Sequence, residues 1–301
     1  MKLTILGCYS ATPRTNTNPT AQVLEIRNHL FLIDCGEGTQ VQLRRLKIKF
    51  SRIRHIFISH LHGDHFFGLV GLISTFRLLG READLNIYGP KGIKKAITLQ
   101  LKLGKSWTNY PLLFHELKSN KSQLIFEDEK ITVHTIPLDH RIYTNGFLFK
   151  EKIGERKLNI DAVRKANVDM SYYQKIKQGS DVLNKKGDLI PNDELTFDPD
   201  PPKSYAFCSD TVYFKGYIQL IKKVTVLYHE STFLKEHEYL CQRTKHCTAT
   251  HAATIAKEAE VRKLILGHYS TRYKSIEYFK EEAQQVFDNV VLADDGKIFD
   301  L

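Results

Sequence analysis

Apolar positions along the chain fall into short dense blocks separated by polar, glycine-containing turns. Residues 3–8, 22–27, 30–35 and 54–59 are runs of strand length, and 38–46 reads as a helix among them. Helical spacing over 69–79 and 92–103 flanks a strand at 85–89, and 112–138 supplies further strands. After about residue 203 the pattern resumes, with strands at 204–209, 224–229 and 263–268 and helices at 216–223, 249–259 and 276–287. A closing strand pair lies within 290–301, turning at Asp295 and Gly296. Two β-then-α halves of similar makeup predict an α/β layered sandwich with its sheets inside.

The stretch 150–198 breaks this pattern. From 150 to 186 it carries ten basic residues against five acidic ones, and it ends in a cluster of Pro199, Pro201 and Pro202. So few long apolar runs predict a segment without a core of its own, inserted in a single domain spanning 1–301. Two short helix-like pieces, 159–165 and 170–177, favour a protruding arm over a linker.

Composition narrows the class. With 301 residues, 42% hydrophobic and 26% charged, the chain has ordinary globular makeup. The uncharged run 66–76 falls well short of the ~20 residues that span a bilayer. The apolar stretch after Lys2 is too short for a signal-peptide core, so a cytoplasmic protein is expected, with no membrane partner. Five cysteines without a CxxC pair read as free thiols. The net charge of +10 matters only where it concentrates. It does so over 44–54, where Arg44, Arg45, Lys47, Lys49, Arg52 and Arg54 occur with no acidic residue; a solvated helix face or a nucleic-acid surface both fit that run.

The chemistry concentrates in residues 56–65, an apolar strand running into His60, His62, Asp64 and His65. His60 and His62, two apart on an extended chain, project to one side and can share a metal ion, and the turn at Gly63 swings Asp64 and His65 toward a second. Further ligands must come from other strand ends, where His140, Asp210 and His268 stand. Asp210, with two carboxylate oxygens, suits a bridging position. Cys208 and Cys247 read as packing residues, and the remaining histidines lack such company.

With its HLHGDH stretch at 60–65, DCGEGTQ at 34–40, SDT at 209–211, HESTF at 229–233, KHCTATHAA around His246 and LGHYSTRY at 266–273, the chain resembles the metallo-β-lactamase superfamily and, within it, the tRNase Z enzymes that trim tRNA 3′ ends. The resemblance covers nearly the whole chain. It implies an αββα four-layer sandwich with residues 150–198 as an inserted exosite arm that grips tRNA, and a homodimer. It implies two Zn2+ ions per subunit, Mn2+ being an alternative, one on His60, His62 and His140 and the other on Asp64, His65 and His268, with Asp210 between them. It implies Asp64 as proton acceptor, His246 as proton donor to the leaving ribose oxygen and Glu230 as its orienting carboxylate. The substrate implied is precursor tRNA, cut after the discriminator nucleotide to leave a 3′-hydroxyl on the tRNA and a 5′-phosphate on the trailer. The basic run at 44–54, with Lys175 and Lys177 of the arm and Arg272 of the last motif, is the implied RNA surface. Two features depart from the family: no proline occurs from 150 to 190, where a Gly-Pro tip is usual, and residues 11–16 keep only part of the Pro-x-Lys-x-Arg-Asn loop that helps reject CCA-ending tRNA. The alternatives are another hydrolase of this fold, acting on small phosphodiesters or thioesters, and a non-catalytic RNA-binding protein.

Overall fold

The structure, a computed structural model, describes all 301 residues and divides into two compact units. The larger comprises residues 1–127, 132–150 and 203–301, and the smaller 128–131 and 151–202.

The larger unit is built on two seven-stranded sheets. The first uses β1 (Lys2–Gly7), β2 (Ala21–Ile26), β3 (His29–Ile33), β4 (Ile53–Phe57), β5 (Leu85–Pro90) and β6 (Leu112–Leu117). The second takes β7 (Leu124–Glu127), β8 (Ile131–Leu138) and β9 (Thr144–Glu151). The smaller unit contributes only two-residue strands, β10 (Lys157–Leu158), β11 (Val182–Leu183), β12 (Leu189–Ile190) and β13 (Thr196–Phe197), paired β10–β13 and β11–β12. The second sheet then continues with β14 (Ser204–Cys208), β15 (Val226–Glu230), β16 (Lys263–Gly267) and β17 (Val290–Leu292), while β18 (Ile298–Asp300) returns to the first sheet beside β1.

Alternation along the strands explains the layering. Phe57 of β4 meets Phe147 and Phe149 of β9 at ring-centroid separations of 5.4 and 5.3 Å, which fills the space between the sheets with aromatic edges. The neighbouring Ile56 and Ile58 face the other way, into a buried cluster with Leu69, Leu72, Ile73, Ile97 and Leu101. Those residues come from α3 (Gly68–Leu78) and α4 (Ile93–Leu103), which cover the first sheet together with α1 (Thr39–Arg45); the one-turn α2 (Gly63–Phe66) precedes them. Of the other helices, α5 (Ile160–Lys165), α6 (Tyr173–Lys177) and α7 (Asn192–Leu195) belong to the smaller unit. After the one-turn α8 (Cys241–Thr244), α9 (Ala249–Glu258) and α10 (Glu277–Gln284) cover the second sheet. The result is the four-layer αββα sandwich.

Three expectations need correction. Residues 216–223 form only a 3-10 turn, Ile218–Ile221, because one turn suffices to bury Tyr217, Ile218 and Ile221. The closing strands are not a hairpin: β17 pairs parallel with β16 and β18 pairs antiparallel with β1, so the turn at Asp295 and Gly296 carries the chain from one sheet to the other. The segment expected to lack a core has a small one. Val163, Val168, Ile176, Val182 and Leu195 are buried together, though they come from helix, loop and strand positions with no common period. Around them Asn192 Nδ2 donates to the carbonyls of Ile176 (2.7 Å) and Ser180 (3.0 Å), and Asn159 caps α5 by accepting from the Ala162 amide at 3.1 Å. Polar capping of short elements completes what apolar area alone does not. The structure contains no helix long and apolar enough to cross a membrane.

Candidate metal centre

β3–β6 run parallel, as do β14–β17, and the polar residues of interest follow their C-terminal ends. Asp34 follows β3, His60 lies beyond β4, Asp210 beyond β14, Glu230 closes β15 and His268 follows β16. Strand ends of two sheets thereby converge on one place, the usual location of ligand sites in such folds. Asp34, Asp210 and His268 sit in the left-handed backbone region at φ 57°, 57° and 61°. Such conformations cost roughly 1–3 kcal/mol each in a non-glycine residue and persist where the surroundings fix them. Two glycines permit the close approach. A Cβ on Gly36 would lie 2.5 Å from the Asp64 carbonyl oxygen, and one on Gly68 would lie 2.0 Å from that of Gly36.

The structure brings all seven expected ligands together. His60, His62, His140 and Asp210 form one group with donor atoms within 4.8 Å of one another, and Asp64, His65 and His268 form a second. In the first, His62 Nδ1 lies 3.0 Å from His60 Nε2 and 3.2 Å from His140 Nε2, and Asp210 Oδ2 lies 3.6 Å from His60 Nε2. In the second, Asp64 Oδ2 lies 3.4 Å from His65 Nε2 and 3.6 Å from His268 Nε2. The other oxygen of Asp210, Oδ1, approaches the same two nitrogens at 3.2 and 3.3 Å, so one carboxylate faces both groups.

The residues fit metal ions on three grounds. The buried Nε2 atoms of His65 and His268 have no hydrogen-bond partner, a costly state unless an ion takes them. The far side of four rings is pinned by oxygen: His65 Nδ1 donates to Asp34 Oδ2 at 2.7 Å and His140 Nδ1 to the Lys245 carbonyl at 2.9 Å. Ser59 donates its hydroxyl to Asp34 at 2.8 Å and so accepts from His60 Nδ1 at 3.0 Å, and Thr232, which donates to Glu230 at 2.6 Å, accepts from His268 Nδ1 at 2.9 Å. With the proton on Nδ1, each Nε2 offers its lone pair inward, the arrangement that metal-ligating histidines require. Finally, the pocket is electronegative. Burial lowers the affinity of His65 for a proton, yet Asp210, Asp64 and Asp34 together drive it well above the ordinary imidazole range.

Next to this cluster His246 Nδ1 lies 2.9 Å from Glu230 Oε1. Burial alone would lower the imidazole, but the Glu230 carboxylate raises it to about 9. Burial likewise pushes Glu230 up, and His246 beside it brings the carboxyl down to about 2. The carboxylate also accepts from the amide of Thr211 at 2.9 Å, which fixes its plane. Asp34, Ser59 and Thr232 lie inside stretches marked in the sequence, which assigns none of them a role. The signal for Asp34 is an acid at the end of the apolar run LFLI, opening the DCGEGTQ stretch.

The expected RNA residues lie elsewhere. Arg44, Arg45, Lys47, Lys49, Arg52 and Arg54 are all exposed around the end of α1 and the start of β4, and Arg52 pairs with Glu25 at 2.9 Å. Arg272 is exposed four residues after His268, and Lys175, over the Tyr172 ring at 5.7 Å, and Lys177 belong to the smaller unit. All five cysteines are free, as expected, and all are buried, Cys208 and Cys247 among them.

The ribonuclease Z of Bacteroides fragilis strain YCH46 is 46% identical over 292 residues, covering 97% of this chain and 96% of that protein. The chain belongs to the ribonuclease Z family. The Porphyromonas gingivalis W83 ribonuclease Z is 43% identical, covering 99% of this chain and 98% of that protein. Among solved structures, human tRNase Z, short form, superposes with a TM-score of 0.72 at 27% identity, covering 100% of this chain and 99% of that one. The Bacillus subtilis metallo-β-lactamase fold protein YhfI, at 17% identity and a TM-score of 0.69 over 99% of both chains, shares the fold. Residues 1–175 also fall within the family described as anti-Pycsar protein Apyc1.

Proposed function

We propose that the chain is a metal-dependent endoribonuclease that removes the 3′ trailer from precursor tRNA in the cytoplasm. It cuts after the discriminator nucleotide, leaving a 3′-hydroxyl on the tRNA and a 5′-phosphate on the trailer. The observation that carries this reading is the meeting of the two ligand groups at Asp210, in a chain whose full-length relatives are ribonucleases Z.

His60, His62 and His140 would hold one Zn2+ and Asp64, His65 and His268 the other, with Asp210 between, and Mn2+ can take the same donor set. A pair of such ions supplies activated water at neutral pH and neutralises phosphate charge. Asp64, 9% exposed against 2% for Asp210, accepts the proton of the attacking water. His246, its Nδ1 tied to Glu230, keeps Nε2–H free and is protonated at neutral pH. It delivers that proton to the departing 3′-oxygen of the discriminator ribose, a poor leaving group without it. Residues 150–198 act as the arm that engages tRNA, with Lys175 and Lys177 as phosphate contacts, and Arg272 and the 44–54 run add further positive surface. The active form is a homodimer, which light scattering would show at twice the chain mass of 34.8 kDa.

Incubating zinc- or manganese-loaded protein with a trailer-bearing precursor tRNA tests the reading. A single cut with a 3′-hydroxyl on the tRNA is expected. Intact precursor, with metal bound, contradicts it.

A further inference from the structure

A groove of about 550 Å3 opens directly beside the metal centre, and the ligand His140 forms part of its wall. Ile142, Tyr143 and Phe214 give it apolar and aromatic surface, and Arg141 and Asn120 are its solvent-exposed polar side chains. The mechanism above uses none of these residues.

The loop from β8 to β9, which carries Arg141, is held at both ends. On one side the Asp139 amide donates to Thr211 Oγ1 at 3.2 Å, and the Asp139 carbonyl accepts from the Val212 amide at 2.9 Å. On the other, the Tyr143 hydroxyl donates to the Ser119 carbonyl at 2.9 Å, and the Asn145 amide donates to the Ser59 carbonyl at 3.1 Å. The backbone is thus fixed while the Arg141 side chain stands in solvent. Asp139, the nearest carboxylate in sequence, pairs with Lys245 Nζ at 3.1 Å, and Arg141 itself makes no ion pair. Its charge nevertheless acts on the centre. Burial lowers the affinity of His62 for a proton, Asp210 opposes that, and Arg141 adds to the lowering. At His246, burial and Arg141 act together against the pull of Glu230. An unpaired cation therefore lies within electrostatic reach of both a metal ligand and the proton donor.

We propose that this groove receives the first nucleotide of the trailer, with Arg141 holding the phosphate that joins it to the second. The inference rests on the endoribonuclease reading and names where that substrate lies beyond the cut. His140 in the wall places an occupant next to the scissile phosphate. A guanidinium forks onto phosphate oxygens, and Tyr143 and Phe214 offer aromatic surface to a base. A groove of this size takes one base splayed from a single strand and excludes a duplex. Of the two sides of the cut, only the trailer is single-stranded over successive nucleotides, because the discriminator continues into the paired acceptor stem.

Single-turnover cleavage by metal-loaded protein, on precursor tRNAs with trailers of one and four nucleotides, tests the assignment. Only the longer trailer carries the phosphate assigned to Arg141. Arg141→Ala is expected to cut the longer substrate roughly 10–100-fold more slowly than the wild type and the shorter one within about twofold of it. Arg141→Lys, which keeps the charge and loses the fork, should recover part of the loss. An abasic first trailer nucleotide is expected to slow the wild type roughly tenfold, and an unaffected rate would take the base out of the groove. Equal losses on both trailers put Arg141 on the tRNA side or in a structural role, and no loss on either leaves it without a contact; each overturns the proposal while the endoribonuclease reading stands. Wild type that leaves both precursors intact contradicts that reading itself, and the proposal falls with it.

Discussion

The strand-end cluster and the inserted unit are opposite solutions to holding polar residues. In the cluster His60, His65, Asp210 and Glu230 are at most 2% exposed, and each of these ionisable groups approaches another. In the insert charges stay in water: Arg156 forks to Asp193 at 2.8 Å and Asp198 at 2.6 Å, with both carboxylates more than four-fifths exposed. The contrast teaches where energy is stored. Strained backbone and converging nitrogens make the cluster costly unless ions satisfy it, so its geometry belongs to chemistry. Solvated ion pairs contribute little stability, and the charge of the insert remains available to a partner.

Substitutions separate the two regions most sharply where the chemistry lies. Asp64→Ala is expected to reduce cleavage of precursor tRNA roughly 10³-fold, within the range of lost proton transfer, while tRNA binding measured by filter retention persists. His246→Ala should cost about 10²–10⁴-fold on precursor tRNA and far less on bis-p-nitrophenyl phosphate, whose leaving group needs no proton; equal losses on both substrates would remove the acid role. Asp34→Asn leaves every ligand in place but removes the anchor of His65, and a ~10–100-fold weaker metal affinity is expected in chelator competition. In the insert, Ile176→Ala opens its small core, with a destabilisation of about 2–4 kcal/mol seen as early proteolysis within 151–202 and a raised KM for tRNA at unchanged phosphodiester turnover. The smallest effect concerns pH. Removing the Glu230 anion by Glu230→Gln lowers the affinity of His246 for its proton, so the alkaline limb of the kcat profile should move to lower pH; a shift the other way would break the pairing.

How much of this was legible in the sequence differs between the same two regions. The histidine cluster was readable because HLHGDH packs its donors locally after an apolar strand, and the distant His140, Asp210 and His268 each close a strand-like run. Asp34 and Thr232 were not, because their roles come from hydrogen bonds to rings far along the chain. The core of the insert escaped because Val163, Ile176 and Leu195 lie on separate short elements with no shared period. β17 and β18 mimic a hairpin locally, and their pairing with distant partners, β17 with β16 and β18 with β1, shows that the chain changes sheet.

The division of labour is tested most directly by one paired assay, on the wild type and on a variant lacking residues 152–196, both metal-loaded. The deletion is expected to lose precursor-tRNA cleavage while hydrolysing bis-p-nitrophenyl phosphate at the wild-type rate. Retained tRNA cleavage, or loss of both activities with the metal still bound, contradicts it.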